Sequence, residues 1–361
     1  MKNLFKIGCN FDPQLIEICK ELNEKYKDKG QVVEFFGSDR EHEELAARPG
    51  WRLPSMDMEF FADYVKKCKE AGIVFNYTMN SIQPYGSKNE MLKHKEEIQQ
   101  FVKQLEEIGV YRITIANPML ALIIREVSNI KLEISCIAHI DAVTQIKYYY
   151  ETFGIDKFCL SILKNRNRDW LKNAAAYCKQ NNIILEFLAN EFCGVAGPGY
   201  ATHCVFRDSC YLCHALNRTK EDSMSYNNYP MGYCMNARNS DPESFLRMRW
   251  IRPEDLHYYR EIGLNYFKVS GRTGSIDYLK KMIEAYLSES FEGNLLQLWK
   301  PLETIYSEKD EFQQEHPIDI PNKKLDGFLD HWFKQNWECE NHVCGTTCTY
   351  CKKFFEERIA N

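Results

Sequence analysis

The chain has 361 residues, 44% of them hydrophobic and 27% charged, a globular balance with ample apolar material for a core and no basis for widespread disorder. A net charge of -5 and a pI near 6.1 exclude the basic footprint of a protein that binds bulk nucleic acid or a membrane surface. No apolar run of about eighteen residues offers a membrane span, and the opening MKNLFKIGCNFDP is broken by Lys6 and lacks a small-residue cleavage site. The expected protein is soluble and cytoplasmic, with no membrane partner; a nucleic-acid partner would need a local basic groove that the overall charge does not announce.

Through the first 290 residues a short β-branched or aromatic run, a polar turn and an amphipathic segment recur. Strands are predicted at Phe5–Cys9, Val32–Phe36, Ile73–Met79, Tyr111–Ala116, Leu132–Ile137, Lys157–Ile162, Ile183–Leu188 and Tyr266–Ser270. Helices are predicted over 13–28, 57–71, 88–108, 118–128, 140–152, 167–181, 253–262 and 275–288. Eight alternations argue a (β/α)8 TIM-type barrel, because each parallel strand needs a crossover and eight strands close the sheet without an edge. An open doubly wound sheet is the other topology, but no G-x-G-x-x-G follows the first strand to support its dinucleotide-binding form. The expected division is a barrel over 1–290, with 190–250 a cysteine-rich insertion after strand 7. Residues 291–361 follow as a polar, acidic linker and a cysteine-rich, metal-binding appendage.

In such a barrel the carboxyl ends of the strands carry the chemistry. There the sequence places Tyr77, Asn80, Asn117, His139 and Asn190 as candidate catalytic positions, all neutral hydrogen-bonding groups at neutral pH. Arg168, Lys268 and Arg272 are candidates for holding a substrate carboxylate. Each has a structural use as well: Asn80 and Asn117 as helix caps, His139 as a core residue, Arg168 with Asp169 as a surface pair.

Fifteen cysteines are too many for disulfides in a reducing compartment, so they are thiols or metal ligands. Cys9, Cys19, Cys68, Cys136, Cys159 and Cys178 sit among apolar neighbours and read as small core residues. The other nine cluster. In the tail, Cys339, Cys344, Cys348 and Cys351 place four soft ligands within thirteen residues, a set that suits zinc or an iron–sulfur cluster. In the insertion, Cys193, Cys204, Cys210, Cys213 and Cys234 offer five candidates for four places, with GVAGPG able to fold back between the first two. No H-E-x-x-H helix or G-x-S-x-G elbow is present, while His203 and His214 stand beside cysteines.

The segments IVFNYTMN, YRITIANPML, ISCIAHI, NRNRDWL, LEFLANEFC with Cys204 and Arg207, and WIRPEDLHYYREIGLNYFKVSGR resemble the U-32, collagenase-like peptidase family over nearly the whole chain. Members of that family studied as enzymes carry a four-cysteine 4Fe–4S centre in this insertion. Several act in oxygen-independent hydroxylation of RNA bases or ubiquinone precursors, with prephenate implicated as oxygen donor; others are described as collagenases. The resemblance therefore implies a 4Fe–4S cluster on Cys193, Cys204, Cys234 and one of Cys213 or Cys210. It also implies an oxygen-independent modification of a small molecule or peptide, served by an electron-donor protein. A second 4Fe–4S cluster, or zinc, is expected in the tail. The competing functions are a peptidase, an RNA base hydroxylase, and an iron–sulfur electron-transfer or scaffold protein.

Overall fold

The structure is a computed structural model that describes residues 1–191, 241–272, 274–298 and 318–360. The five cysteines from Cys193 to Cys234 lie outside the described residues, so the expected insertion site and its ligands do too.

Among the described residues eight strands close a barrel in chain order: β1 Asn3–Gly8, β2 Gly30–Gly37, β3 Val74–Met79, β4 Arg112–Ile115, β5 Lys131–Ile134, β6 Lys157–Cys159, β7 Ile184–Leu188 and β8 Tyr266–Val269. Every neighbour is parallel, and β8 pairs back onto β1 with Leu4 opposite Tyr266 and Ile7 opposite Val269. Around it run α1 Gln14–Lys25, α2 Met58–Glu70, α3 Lys88–Lys93, α4 Lys95–Glu107, α5 Pro118–Arg125, α6 Val143–Phe153 and α7 Arg168–Gln180. The helices Leu256–Glu261 and Ile276–Ser288 complete the ring. The expected (β/α)8 fold is the one observed.

Local chemistry explains the elements. In α2 the Asp57 carboxylate accepts from Phe60 N at 2.7 Å, and Phe61, Tyr64, Val65 and Cys68 bury one face at helical spacing. Some boundaries differ from those predicted. The expected helix over 88–108 breaks at His94, whose ψ of 15° separates α3 from α4. The expected strand Lys157–Ile162 stops at Cys159, because Ile162–Lys164 turns into a 3-10 helix. The segment 253–262 opens as a 3-10 turn at Pro253 before its α-helix starts at Leu256.

The tail packs on the barrel through aromatic rings. The Arg166 guanidinium carbon lies 4.6 Å from the Trp250 ring centroid, 4.7 Å from Trp332 and 5.1 Å from Phe328. Tyr350 of the last helix, Tyr350–Arg358, stacks on His331 at 3.9 Å. Arg252, just after the insertion, grips Asp255 with two bonds of 2.8 Å and donates to Asn322 O at 2.6 Å, tying barrel to tail.

Candidate active site at the barrel mouth

The floor of the mouth is a charged lattice inside the barrel. Parallel strands buried on both faces are usually continuous apolar runs. Here the strands place Lys6, Glu34, Asn76, Thr114, Glu133, Lys157 and Glu186 in the interior, all buried. Lys157 Nζ lies 2.6 Å from Glu34, 2.8 Å from Glu186 and 3.3 Å from Glu133. Lys6 pairs with Glu133 and, at 3.2 Å, with Glu186. Asn76 donates to Glu34 at 2.6 Å and to Glu133 at 2.9 Å, and Tyr266 donates its hydroxyl to Glu34 at 2.6 Å. Burial alone would discharge both lysines, but the carboxylates outweigh it and hold Lys6 and Lys157 above the ordinary lysine range. Sequence reasoning missed this lattice. Its signal was a charged or polar residue in the middle of nearly every apolar run.

The expected site residues take several places around the rim. Asn190 clasps the ends of β7 and β8: its Nδ2 donates to Ser270 O and its Oδ1 accepts from Ser270 N, both at 2.7 Å. Tyr77 is buried and donates to Asp39 Oδ2 at 2.8 Å, whose other oxygen meets His42 Nδ1 at 2.8 Å. Asn80 joins the loop after β2 to the end of β5, accepting from Ala47 N and donating to Ser135 Oγ, each at 3.3 Å. Asn117 caps α5, accepting from Met119 N at 2.9 Å. His139 follows the turn after β5 in the left-handed region, φ 51°, and is buried. Arg168 lies 3.5 Å from Asp169 on the partly exposed start of α7. Lys268 and Arg272 share the Phe36 ring, at 4.3 and 5.5 Å from its centroid.

A further pair was read as core and sits at the rim. Cys136, after β5, and Cys159, the last residue of β6, belong to a small apolar cluster with Ala47, Ala116, Ile162 and Leu188. The neighbouring Cys159 thiol, and then the charge of Lys268, lower the Cys136 thiol to about 7 against the opposing effect of burial. Burial and Cys136 push Cys159 up. The signal that could have found the pair is their position, since each lies within the last four residues of a predicted strand.

In the tail, Cys339 sulfur accepts from Trp332 Nε1 at 3.0 Å and from Arg249 Nη1 at 3.4 Å. Cys344 and Cys348 face each other across a single β-bridge, and Cys339, Cys344 and Cys351 all bear on the Arg249 charge. Among the described residues no three His, Cys, Asp or Glu side chains stand close enough together to hold a metal ion. Among the described residues no helix is long and apolar enough to cross a membrane.

No family model matches the chain. An uncharacterized protease of Methanocaldococcus jannaschii is 27% identical over 348 residues, covering 94% of this chain and 92% of that protein. Among solved structures, a U32 peptidase aligns at 12% identity with a TM-score of 0.44, over 75% of this chain and 93% of its own. A chitinase from Rhizomucor miehei aligns at 10% identity with a TM-score of 0.40, over 80% of this chain and 98% of its own. The full-length similarity to a protein named as a protease bears out the resemblance to the U-32 peptidase family.

Proposed function

We propose that this chain is an iron–sulfur enzyme that modifies a small molecule or peptide without molecular oxygen, working at the mouth of the barrel. The observation that carries the reading is where the cysteine-rich insertion is tethered. Its leading flank ends at Asn190, clasped to β8, and its trailing flank returns to the same rim, where Ile251 N donates to Ala189 O at 2.9 Å. Both flanks of the segment that carries Cys193, Cys204, Cys234, Cys210 and Cys213 thus meet the strand ends where barrel enzymes bind substrate, which supports a site there. A 4Fe–4S cluster there would supply electron transfer or a Lewis-acidic iron. The chain's own part is to bind and orient: Lys268 places positive charge at the mouth, Tyr77 and Asp39 fix the loop after β2, and Asn190 holds the rim closed.

The proposal extends to the tail, where Cys339, Cys344, Cys348 and Cys351 would take a second cluster or zinc. Four thiolates are the right donors for either, and the Arg249 charge favours an anionic centre. A donor protein for electrons and a reducing cytoplasmic setting belong to the same reading.

Peptide hydrolysis is the second reading, favoured by the name of the archaeal relative. Iron and acid-labile sulfide analysis of anaerobically purified protein, beside the triple variant Cys193→Ala, Cys204→Ala, Cys234→Ala, separates the two. Brown protein whose iron is lost in the variant is the expected result. Colourless protein that cleaves gelatin or a casein peptide at equal rates with and without those cysteines overturns it.

A further inference from the structure

Above the interior lattice Arg48, Arg52 and Arg272 bear on one another, and Glu191 is the carboxylate that acts on Arg48. The lattice is balanced on its own: Lys6, Lys157 and Lys268 act on Glu133, and the three glutamates Glu34, Glu133 and Glu186 are already taken up by these lysines. Nothing is left over for the rim. Arg272 follows β8 so close to β1 that a Cβ added to Gly8 would come within 3.1 Å of the Arg272 nitrogen. Its guanidinium lies against Phe36, its one hydrogen bond among the described residues is a 3.5 Å contact to the neutral Ser38 hydroxyl, and its Nε is buried without a partner there. Arg48, from the loop after β2, likewise buries an Nη1 without a partner. Burial, then the like charges of Arg48 and Arg52, hold Arg272 well below the ordinary arginine range, with the Cys9 and Cys136 sulfurs as the opposing influences. Glu191 offsets part of the burial of Arg48. Among the described residues no carboxylate is hydrogen-bonded or ion-paired to either guanidinium.

A guanidinium nitrogen buried without a partner, beside other arginines, is costly unless something anionic meets the group. Two forks of N–H donors at one rim match the paired oxygens of a carboxylate or phosphate. We infer that the barrel mouth binds an oxyanion group of the substrate, held by Arg272 and Arg48. This assigns a substrate class to the site proposed above and rests on reading the mouth as the substrate site. It needs no assumption about the cofactor.

The test is anion binding by the full chain, followed by thermal unfolding at constant ionic strength. The probes are inorganic phosphate and malonate, with chloride as the control. Phosphate or malonate is expected to raise the unfolding midpoint by roughly 2–4 °C, and the stronger of the two identifies the kind of oxyanion. Arg272→Met and Arg48→Met should abolish that rise. Without anion they should unfold no lower than the parent, because each removes a guanidinium nitrogen that is buried without a partner, a result that a structural arginine would not give. Arg272→Lys should keep part of the response. A parent that responds to neither anion, or a response that survives in Arg272→Met, overturns the inference. If Arg272→Met does not fold, an undiminished response in both Arg48→Met and Arg272→Lys overturns it equally. Iron analysis of the same samples reports on the cofactor separately, so either proposal can fail without the other.

Discussion

Lys157 touches three carboxylates in the barrel interior, and its loss leaves them facing fewer cations in a site that water does not reach. Breaking a buried ion set by removing one partner costs about 3–5 kcal/mol, so Lys157→Met should lower unfolding stability by that amount in urea titrations. The pH dependence follows from the same contacts. Burial opposes ionisation of Glu34 and Glu133, but Lys157 and Lys6 outweigh it and hold both below the ordinary value of 4.5. Their contribution to stability is therefore present above pH 4.5 and lost as pH falls through the lowered folded values. In Lys157→Met those values rise, so the acid-unfolding midpoint should move to higher pH. An unchanged midpoint would show that Lys157 does not set the ionisation of the lattice. Cys136 gives a second expectation at this scale. With its thiol near 7, iodoacetamide at pH 8 should alkylate it ahead of Cys9 and Cys178, which burial pushes up to about 12. Peptide mass spectrometry reads the order, and equal labelling of the three would contradict it. These residues mark the boundary of what the sequence disclosed. Lys268 and Arg272 were legible because they end a strand, whereas Arg48 lies in a loop without periodicity and only the closed barrel brings it to the rim. Cys136 and Cys159 looked like filler because their neighbours are apolar, and it is the pairing of β5 with β6 that joins them.

Among the elements, the strands were legible because each is a short β-branched or aromatic run set off by a turn, and their order then admits little besides a barrel. Their ends were less so. β6 stops at Cys159 because the chain turns into a 3-10 helix there, and β4 stops before Asn117 because Pro118 and the asparagine cap start a helix. The tail was legible as a cysteine spacing, but not as a docked element, since its anchor is a cation held between rings from distant parts of the chain. Arg166 sits among Trp250, Trp332 and Phe328, and burial there lowers it to about 10. Two different losses are expected from this element. Trp332→Ala should cost about 3–5 kcal/mol through the cavity it leaves, seen in chemical denaturation. Replacing Cys339, Cys344, Cys348 and Cys351 with serine together should leave the barrel's circular dichroism intact and remove one metal centre, seen in elemental analysis. If the metal content of the serine variant equals that of the parent, the tail thiols hold none.

At the scale of the whole molecule, the described residues by themselves close the barrel. The two strands pair directly, with Glu186 opposite Tyr266, Phe187 opposite Phe267 and Leu188 opposite Lys268. The rim above them is fastened by Asn190 to Ser270 and by Ile251 to Ala189, bonds made entirely by residues outside 193–234. Folding stability and cofactor chemistry are therefore expected to be separable, as they are where strand ends carry a function on a scaffold that needs none of it. Replacing residues 193–234 with a flexible glycine–serine linker should give a protein that unfolds cooperatively in urea, with the helical circular dichroism of the barrel retained. That same protein should contain no insertion-bound iron and turn over no substrate, yet still show the oxyanion response of Arg272 and Arg48, since neither lies in the replaced segment. A linker protein that is molten or aggregated would mean that the insertion is part of the barrel's core, and a linker protein that retains activity would place the chemistry in residues of the rim alone.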